Sequence, residues 1–176
     1  EAHNGYVYAV AATPDGQHVI SGSEDKLVKV WSVATKSLVS KCKGHINGVK
    51  VVAAMPDSQR ILSAPSAGNE VRVWLLDGTE QNHSSANAAG ARLRRLHITG
   101  NVYALVALPD NQHALSGSSD TTVKLFNVND GAVVRTFTHH TDYVTSLALL
   151  PDGLRFASGS FDNTARIAYH GFAPAQ

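Results

Sequence analysis

The hydrophobic positions of this chain fall in short runs broken by polar turns. YVYAVAAT at 6–13 is followed by HVISG at 18–22, LVKVW at 27–31 and LVSKC at 38–42. Val28 and Val30 alternate with Lys29 and Trp31, a period of two that predicts a strand. Between the first two runs stands Pro14-Asp15-Gly16, a turn signal with a mechanism: proline presets φ, and glycine tolerates conformations that other residues avoid. Four strands of about five residues each cannot bury both faces of the small sheet they make.

The chain repeats this unit. Proline-aspartate pairs at Pro14-Asp15, Pro56-Asp57, Pro109-Asp110 and Pro151-Asp152 are spaced by 42, 53 and 42 residues. The same ruler superposes Val7, Val49, Val102 and Val144, each seven residues before its proline. SGSEDKLVKVW at 21–31 returns as SGSSDTTVKLF at 116–126 and as SGSFDNTARIA at 158–168. Such a period marks a repeating supersecondary unit, with repeats at about 3–44, 45–96, 97–138 and 139–170. Stacking the small sheets radially lets each cover its neighbour, so the expected class is all-β. Repeat two departs from the ruler: Trp74 and His97 are 23 residues apart, whereas Trp31 and His45 are 14 apart. The nine extra positions fall in or around NHSSANAAGA, 82–91, which reads as a loop between a third and a fourth strand.

Composition narrows the function more by exclusion than by assertion. With 176 residues, 43% of them hydrophobic, the chain can fill a core. Fifteen basic against 14 acidic residues leave a formal charge of +1, and the one dense basic run, RLRR at 92–95, is short, so nucleic acid is not expected as a partner. A single cysteine, Cys42, excludes an intrachain disulfide and agrees with a reducing, intracellular and cytoplasmic setting. The apolar runs are too short and broken for a membrane span, and the opening EAHNG is no signal peptide, although the first residue is not Met. Asn82-His83-Ser84 matches a glycosylation acceptor, but nothing else indicates secretion. His83, His97, His139, His140 and His170 have no metal-ligand spacing, so no metal or other cofactor is expected. SGSED and SGSSD lack the Gly-Lys-Ser and helix that would cradle a phosphate.

His3, Ser21 and Asp25 together invite a hydrolase reading. The donor and acceptor inventory offers another: Asp25 accepts from the imidazole, whose other nitrogen meets Ser21, which in turn meets the Trp31 indole N–H. Such a closed network satisfies buried polar groups and fixes a turn against its strand. Recurrence favours the second reading, because a catalytic set is needed once and a staple in every unit. Repeat four keeps His140, Ser158 and Asp162 but ends in Ala168. Repeat three keeps Ser116 and Asp120, with Phe126 and a histidine displaced by one place at His97.

Gly44-His45, the Val-x-x-Val runs, the Pro-Asp turns, the SGSxD turns and the V-K-V-W strand together resemble the WD-repeat β-propeller family over nearly the whole chain. The resemblance implies four-stranded antiparallel blades, and it makes His3, Ser21, Asp25 and Trp31 a structural tetrad. The aspartate that the family places after tryptophan is missing, since Ser32, Leu75 and Asn127 stand there. Repeat two is eroded: His45, Ser63 and Trp74 remain, but 64–69 (APSAGN) replaces the Gly-Ser-x-Asp turn with one residue inserted, and that turn is expected to be the least stapled.

Members of that family are mostly non-catalytic scaffolds that present a propeller face to a protein or peptide. A static subunit or a propeller fragment in a large assembly is the alternative. The resemblance puts Tyr6, Tyr143, Phe161, Glu24, Lys50 and Ser119 at the channel rim as candidate partner-binding residues, while Tyr8 and Tyr103 read equally well as packing between sheets. Propellers of this family usually have about seven or eight blades. HGFAPAQ at 170–176 makes a poor fourth strand. Four repeats are therefore expected to belong to a larger propeller, completed by a longer chain or by self-association with a second copy into an eight-blade ring.

Overall fold

The computed structural model describes residues 2–78, 96–97 (backbone only) and 99–172. The loop expected at 82–91, the acceptor tripeptide, His83 and the basic run at 92–95 lie outside the described residues. Every regular element among those described is a strand. Blade 1 is β1 (Val7–Ala12), β2 (His18–Ser23), β3 (Leu27–Ser32) and β4 (Leu38–Lys43); blade 2 is β5 (Val49–Ala54), β6 (Arg60–Pro65), β7 (Glu70–Leu75) and β8 (Leu96–His97). Blade 3 is β9 (Val102–Ala107), β10 (His113–Ser118), β11 (Val123–Asn127) and β12 (Val133–Phe137); blade 4 is β13 (Val144–Leu149), β14 (Arg155–Ser160) and β15 (Ala165–Tyr169). Within each blade the strands lie in chain order and every pairing is antiparallel. His97 belongs to β8, the outer strand of blade 2, where it pairs with Glu70.

Local chemistry explains the turns. The second residue after each turn proline is left-handed: Gly16 (φ 70), Ser58 (φ 54), Asn111 (φ 59) and Gly153 (φ 65). The turn aspartate next to it caps the hairpin, as where Asp57 Oδ1 accepts the N–H groups of Gln59 and Arg60 at 2.8 and 3.0 Å. The aspartate backbone also links blades, since Asp15 N–H donates to Ser58 Oγ at 3.1 Å and Asp57 N–H to Asn111 Oδ1 at 3.2 Å.

Each first strand carries a bulge at one place. Pairing with the second strand skips Tyr8, Lys50, Tyr103 and Thr145, so two residues oppose one and the extra side chain is re-aimed.

The core lies between blades. Ile20, Val28 and Val30 of blade 1 pack on Val49, Ile61 and Trp74 of blade 2. Leu62 and Val71 then meet Val102 and Phe126 of blade 3, and Leu115, Leu125 and Phe137 meet Val144 and Phe156 of blade 4. Glycine sets the closest approach: a Cβ added at Gly22 would fall 2.8 Å from Val49 Cγ1, and one at Gly117 2.8 Å from Val144 Cγ1. Phe172 folds back to stack on His113, ring centroids 4.1 Å apart, instead of continuing as an outer strand of blade 4.

Candidate functional site

In blade 1 the tetrad residues meet in one chain of bonds. His3 Nδ1–H donates to Asp25 at 2.8 Å, His3 Nε2 accepts from the Ser21 hydroxyl at 2.7 Å, and the Trp31 indole donates to Ser21 Oγ at 2.8 Å. Burial opposes ionisation of Asp25, but the Asn4 N–H, His3 and the Leu27 N–H outweigh it and hold the carboxyl below its ordinary range. The network joins the turn before β3 to the segment before β1, so it fixes where the first strand of the blade begins.

Blade 2 keeps half of this arrangement. His45 Nε2 and the Trp74 indole both reach Ser63 Oγ at 2.7 Å. Among the described residues, however, His45 Nδ1 is buried without a hydrogen bond, and Glu70 Oε1 lies 4.0 Å from it. Burial first, then the Arg72 charge, push His45 down to about 4, against the pull of Glu70. The eroded turn is tied by other groups: Asn47 Nδ2 donates to Ala67 O at 2.7 Å, and Gly68 N–H donates to Asn101 Oδ1 at 3.0 Å.

In blade 3, Ser116 and Asp120 do not share a network. The Ser116 hydroxyl is buried and has no hydrogen-bond partner among the described residues. Asp120 instead takes the Thr99 hydroxyl, the Thr122 hydroxyl and the Lys124 ammonium. The histidine that would bridge them is displaced in sequence, and the side chain of His97 lies outside the described residues.

Blade 4 repeats the bridge, with His140 Nδ1–H donating to Asp162 at 2.8 Å and His140 Nε2 bonded to Ser158 Oγ at 2.8 Å. Thr164, His140 and the Thr141 N–H bond the Asp162 carboxyl against some desolvation and hold it well below the ordinary carboxylate range. Ala168 supplies no indole, and His139 Nε2 occupies that role 3.0 Å from Ser158 Oγ. Nothing local in the sequence distinguishes His139 from a loop residue beside the tetrad histidine His140.

A second group went unread. Lys29, Arg72 and Lys124 stand two residues before Trp31, Trp74 and Phe126, and the recurring V-K-V, V-R-V and V-K-L triplets were the signal. Lys29 and Arg72 are buried, not displayed as the period of two suggests: Lys29 Nζ donates to Ala2 O at 2.7 Å, and Arg72 Nε to Glu70 at 2.8 Å.

Of the candidate partner-binding residues, Lys50 sits on a bulge, Tyr6 and Tyr143 stand immediately before a first strand, and Glu24, Ser119 and Phe161 stand on the turns after a second strand. One backbone bond recurs in each blade: Glu24 N–H donates to Tyr6 O at 2.8 Å, Ser66 to Gly48 at 2.6 Å, Ser119 to Asn101 at 2.9 Å and Phe161 to Tyr143 at 3.0 Å. Tyr6 is thus locked to Glu24, and Tyr143 to Phe161. Tyr143 stacks on Tyr103 with centroids 5.9 Å apart, and Phe161 lies 6.2 Å from Tyr143, which makes one aromatic strip across blades 3 and 4. Tyr143 is 41% exposed and Phe161 64%. On blades 1 and 2, Lys50 Nζ lies 5.9 Å from the Tyr8 ring centroid. Tyr6, 74% exposed, makes no ring contact with Tyr143 or Phe161 among the described residues. Glu24 and Ser119 serve local bonds, accepting from Tyr6 N–H at 3.3 Å and Asn101 N–H at 2.8 Å.

Antiparallel blades packed face to face, with His–Ser networks under their turns, define a β-propeller built from repeats. The chain belongs to the family described as WD domain, G-beta repeat, whose sequence profile matches residues 1–32, 36–74, 92–127 and 131–167. It is similar to the ribosome biogenesis protein WDR12 homolog of Drosophila mojavensis, at 32% identity over 62% of this chain and 28% of that protein. Protein tipD of Dictyostelium discoideum is 31% identical over 76% of this chain and 20% of its own length. The small ribosomal subunit protein RACK1y of Oryza sativa subsp. japonica is 31% identical over 77% and 37%. The chain therefore spans well under half the length of these curated relatives. Among solved structures, the computationally designed Ika4 protein superposes with a TM-score of 0.73 at 25% identity, covering 97% of this chain and 95% of that one.

Proposed function

We propose that this chain is a non-catalytic scaffold whose rim, centred on the Tyr103–Tyr143–Phe161 strip, binds a protein or peptide partner. The strip carries the proposal. Three aromatic rings from two blades are held in contact by bulges and backbone-locked turns, so they offer a large apolar surface that costs little entropy to order. Tyr6 and Lys50 extend the same rim on blades 1 and 2. The hydroxyls beside the histidines favour a structural role over a nucleophilic one: Ser21, Ser63 and Ser158 are buried, and each is already bonded on two sides. A static subunit of a large assembly is the second reading, favoured by the similarity to a ribosome biogenesis protein and a ribosomal subunit protein, and it shares the intracellular setting.

Displayed peptide libraries screened with the purified chain test the rim. Selected peptides are expected to lose at least tenfold in affinity for the Tyr6→Ala/Tyr143→Ala/Phe161→Ala variant, with the unfolding midpoint of that variant unchanged. Equal binding by parent and variant would refute the assignment.

A further inference from the structure

The two ends of the blade series present complementary faces. Val49, Val102 and Val144 begin blades 2, 3 and 4 and are 0%, 1% and 0% exposed, each covered by the blade before it. Val7 begins blade 1 and is 51% exposed, and Val10 on the same face is exposed where Val52 and Leu105 are buried. Trp31 is half-buried where Trp74 and Phe126 are fully buried. At the opposite end, the face of blade 4 that would cover a following blade carries Ala148, Ala157, Gly159, Ala165 and Ile167, and Ile167 is exposed although its counterparts Val30 and Leu125 are buried.

Two of the three internal interfaces seat a valine on a glycine, and in the third Ala64 stands at the glycine position, buried in one cluster with Val102. Gly22 receives Val49 and Gly117 receives Val144, with 2.8 Å between an added Cβ and the valine methyl in both cases. Gly159 holds the same position in blade 4, yet within 4 Å of its added Cβ lie only atoms of Ser146, from the same blade. Among the described residues no valine of a following blade reaches Gly159, where Ser146 Oγ stands 2.5 Å from the added Cβ, and no preceding blade covers Val7. Val7, Val10 and Trp31 are the counterparts of Val49, Val52 and Trp74, which pack against the blade of Ala11 and Gly22, and Ala148 and Gly159 are the counterparts of Ala11 and Gly22 on blade 4.

Two copies of this chain, we infer, close an eight-blade ring in which the Val7 face of each covers the Gly159 face of the other. Closure of one copy on itself would bury Val7 and Ile167 against each other's blades, and both are exposed. Propellers have about 4 to 8 blades, so a ring made only of copies of these four blades holds two of them. Head-to-tail contacts of this kind close when the rotation per subunit divides the circle, and the result is a two-fold ring with two identical interfaces. It removes two apolar faces from water at once.

Light scattering of the 176-residue chain is expected to give twice the chain mass, and Val7→Asp/Val10→Asp to give the single mass with an unchanged circular dichroism spectrum. Paired thiols provide a geometric readout that does not depend on that variant folding. In Val7→Cys/Gly159→Cys, mild oxidation is expected to yield a covalent dimer on a non-reducing gel, with buried Cys42 uninvolved. A single-chain mass at all concentrations, a dimer that the aspartates leave intact, or a bridge that forms within one chain would each overturn the inference.

Discussion

His139 Nε2 stands 3.0 Å from Ser158 Oγ, the counterpart of the hydroxyls that accept an indole N–H in blades 1 and 2. Because His140 Nδ1–H is committed to Asp162, its Nε2 must accept from the Ser158 hydroxyl. The remaining lone pairs of Ser158 then call for a donor, which fixes His139 as the Nε2–H tautomer. Burial, then the neighbouring His140 and Arg166, lower its pKa against the pull of Asp162 and favour that neutral form. His139→Ala is expected to destabilise the chain by about 1 to 2 kcal/mol by leaving a buried hydroxyl short of a donor. Chemical denaturation measures this; an unchanged midpoint would remove His139 from the network.

Asp25→Ala is expected to destabilise without touching any chemical step. It strands the His3 ring and the Asn4 and Leu27 N–H groups, at a cost of about 1 to 3 kcal/mol. Asp120→Ala should act in the same direction, since Thr99, Thr122 and Lys124 all lean on that carboxylate. Thermal unfolding of each variant beside the parent checks both, and parent-like melting of Asp25→Ala would show the tetrad to be dispensable.

Acid should weaken the fold before the carboxylates titrate. His45 is depressed to about 4 from an ordinary 6.5, so between those values the unfolded chain binds a proton that the folded chain refuses. Stability from this group is complete above the unfolded value and falls as pH drops towards 4, by about 2 kcal/mol between pH 7 and pH 5. His139 and His170, also lowered chiefly by burial, add in the same sense. Denaturation midpoints at pH 7 and 5 are expected to converge in His45→Gln, and a slope unaltered by that change would assign the acid sensitivity elsewhere.

Gly117→Ala is expected to loosen the packing between blades 3 and 4. The new Cβ would meet Val144 Cγ1 at 2.8 Å and the Val144 carbonyl oxygen at 3.1 Å, and the backbone atom cannot rotate away. A loss of about 1 to 3 kcal/mol follows from such overpacking. Gly16→Ala meets no atom within 4 Å and is strained only by its left-handed φ of 70, so its cost should be smaller. If both variants unfold at one midpoint, the contact between blades is not what that glycine serves.

What the sequence determined by itself was everything written within a few residues or repeated along the chain. Strand period, the Pro-Asp turns with their left-handed residue, and the offsets joining His3, Ser21, Asp25 and Trp31 are short-range or recurrent, so four copies reinforce one reading. Tertiary structure decided what depends on how one blade leans on the next. Tyr103 and Tyr143 are 40 residues apart in sequence, yet stack because each lies on or beside the bulge of its own first strand. Lys29 alternates with Val28 like a solvent-facing residue but is buried, because its ammonium reaches the Ala2 carbonyl across the blade. His139 reaches Ser158 from 19 residues away in sequence, in a blade where Ala168 stands at the tryptophan position and offers no indole. Val7 and Val49 occupy one position in the repeat and differ only in having a neighbouring sheet, and covering a face is a property of the assembled fold, not of the residues that make the face.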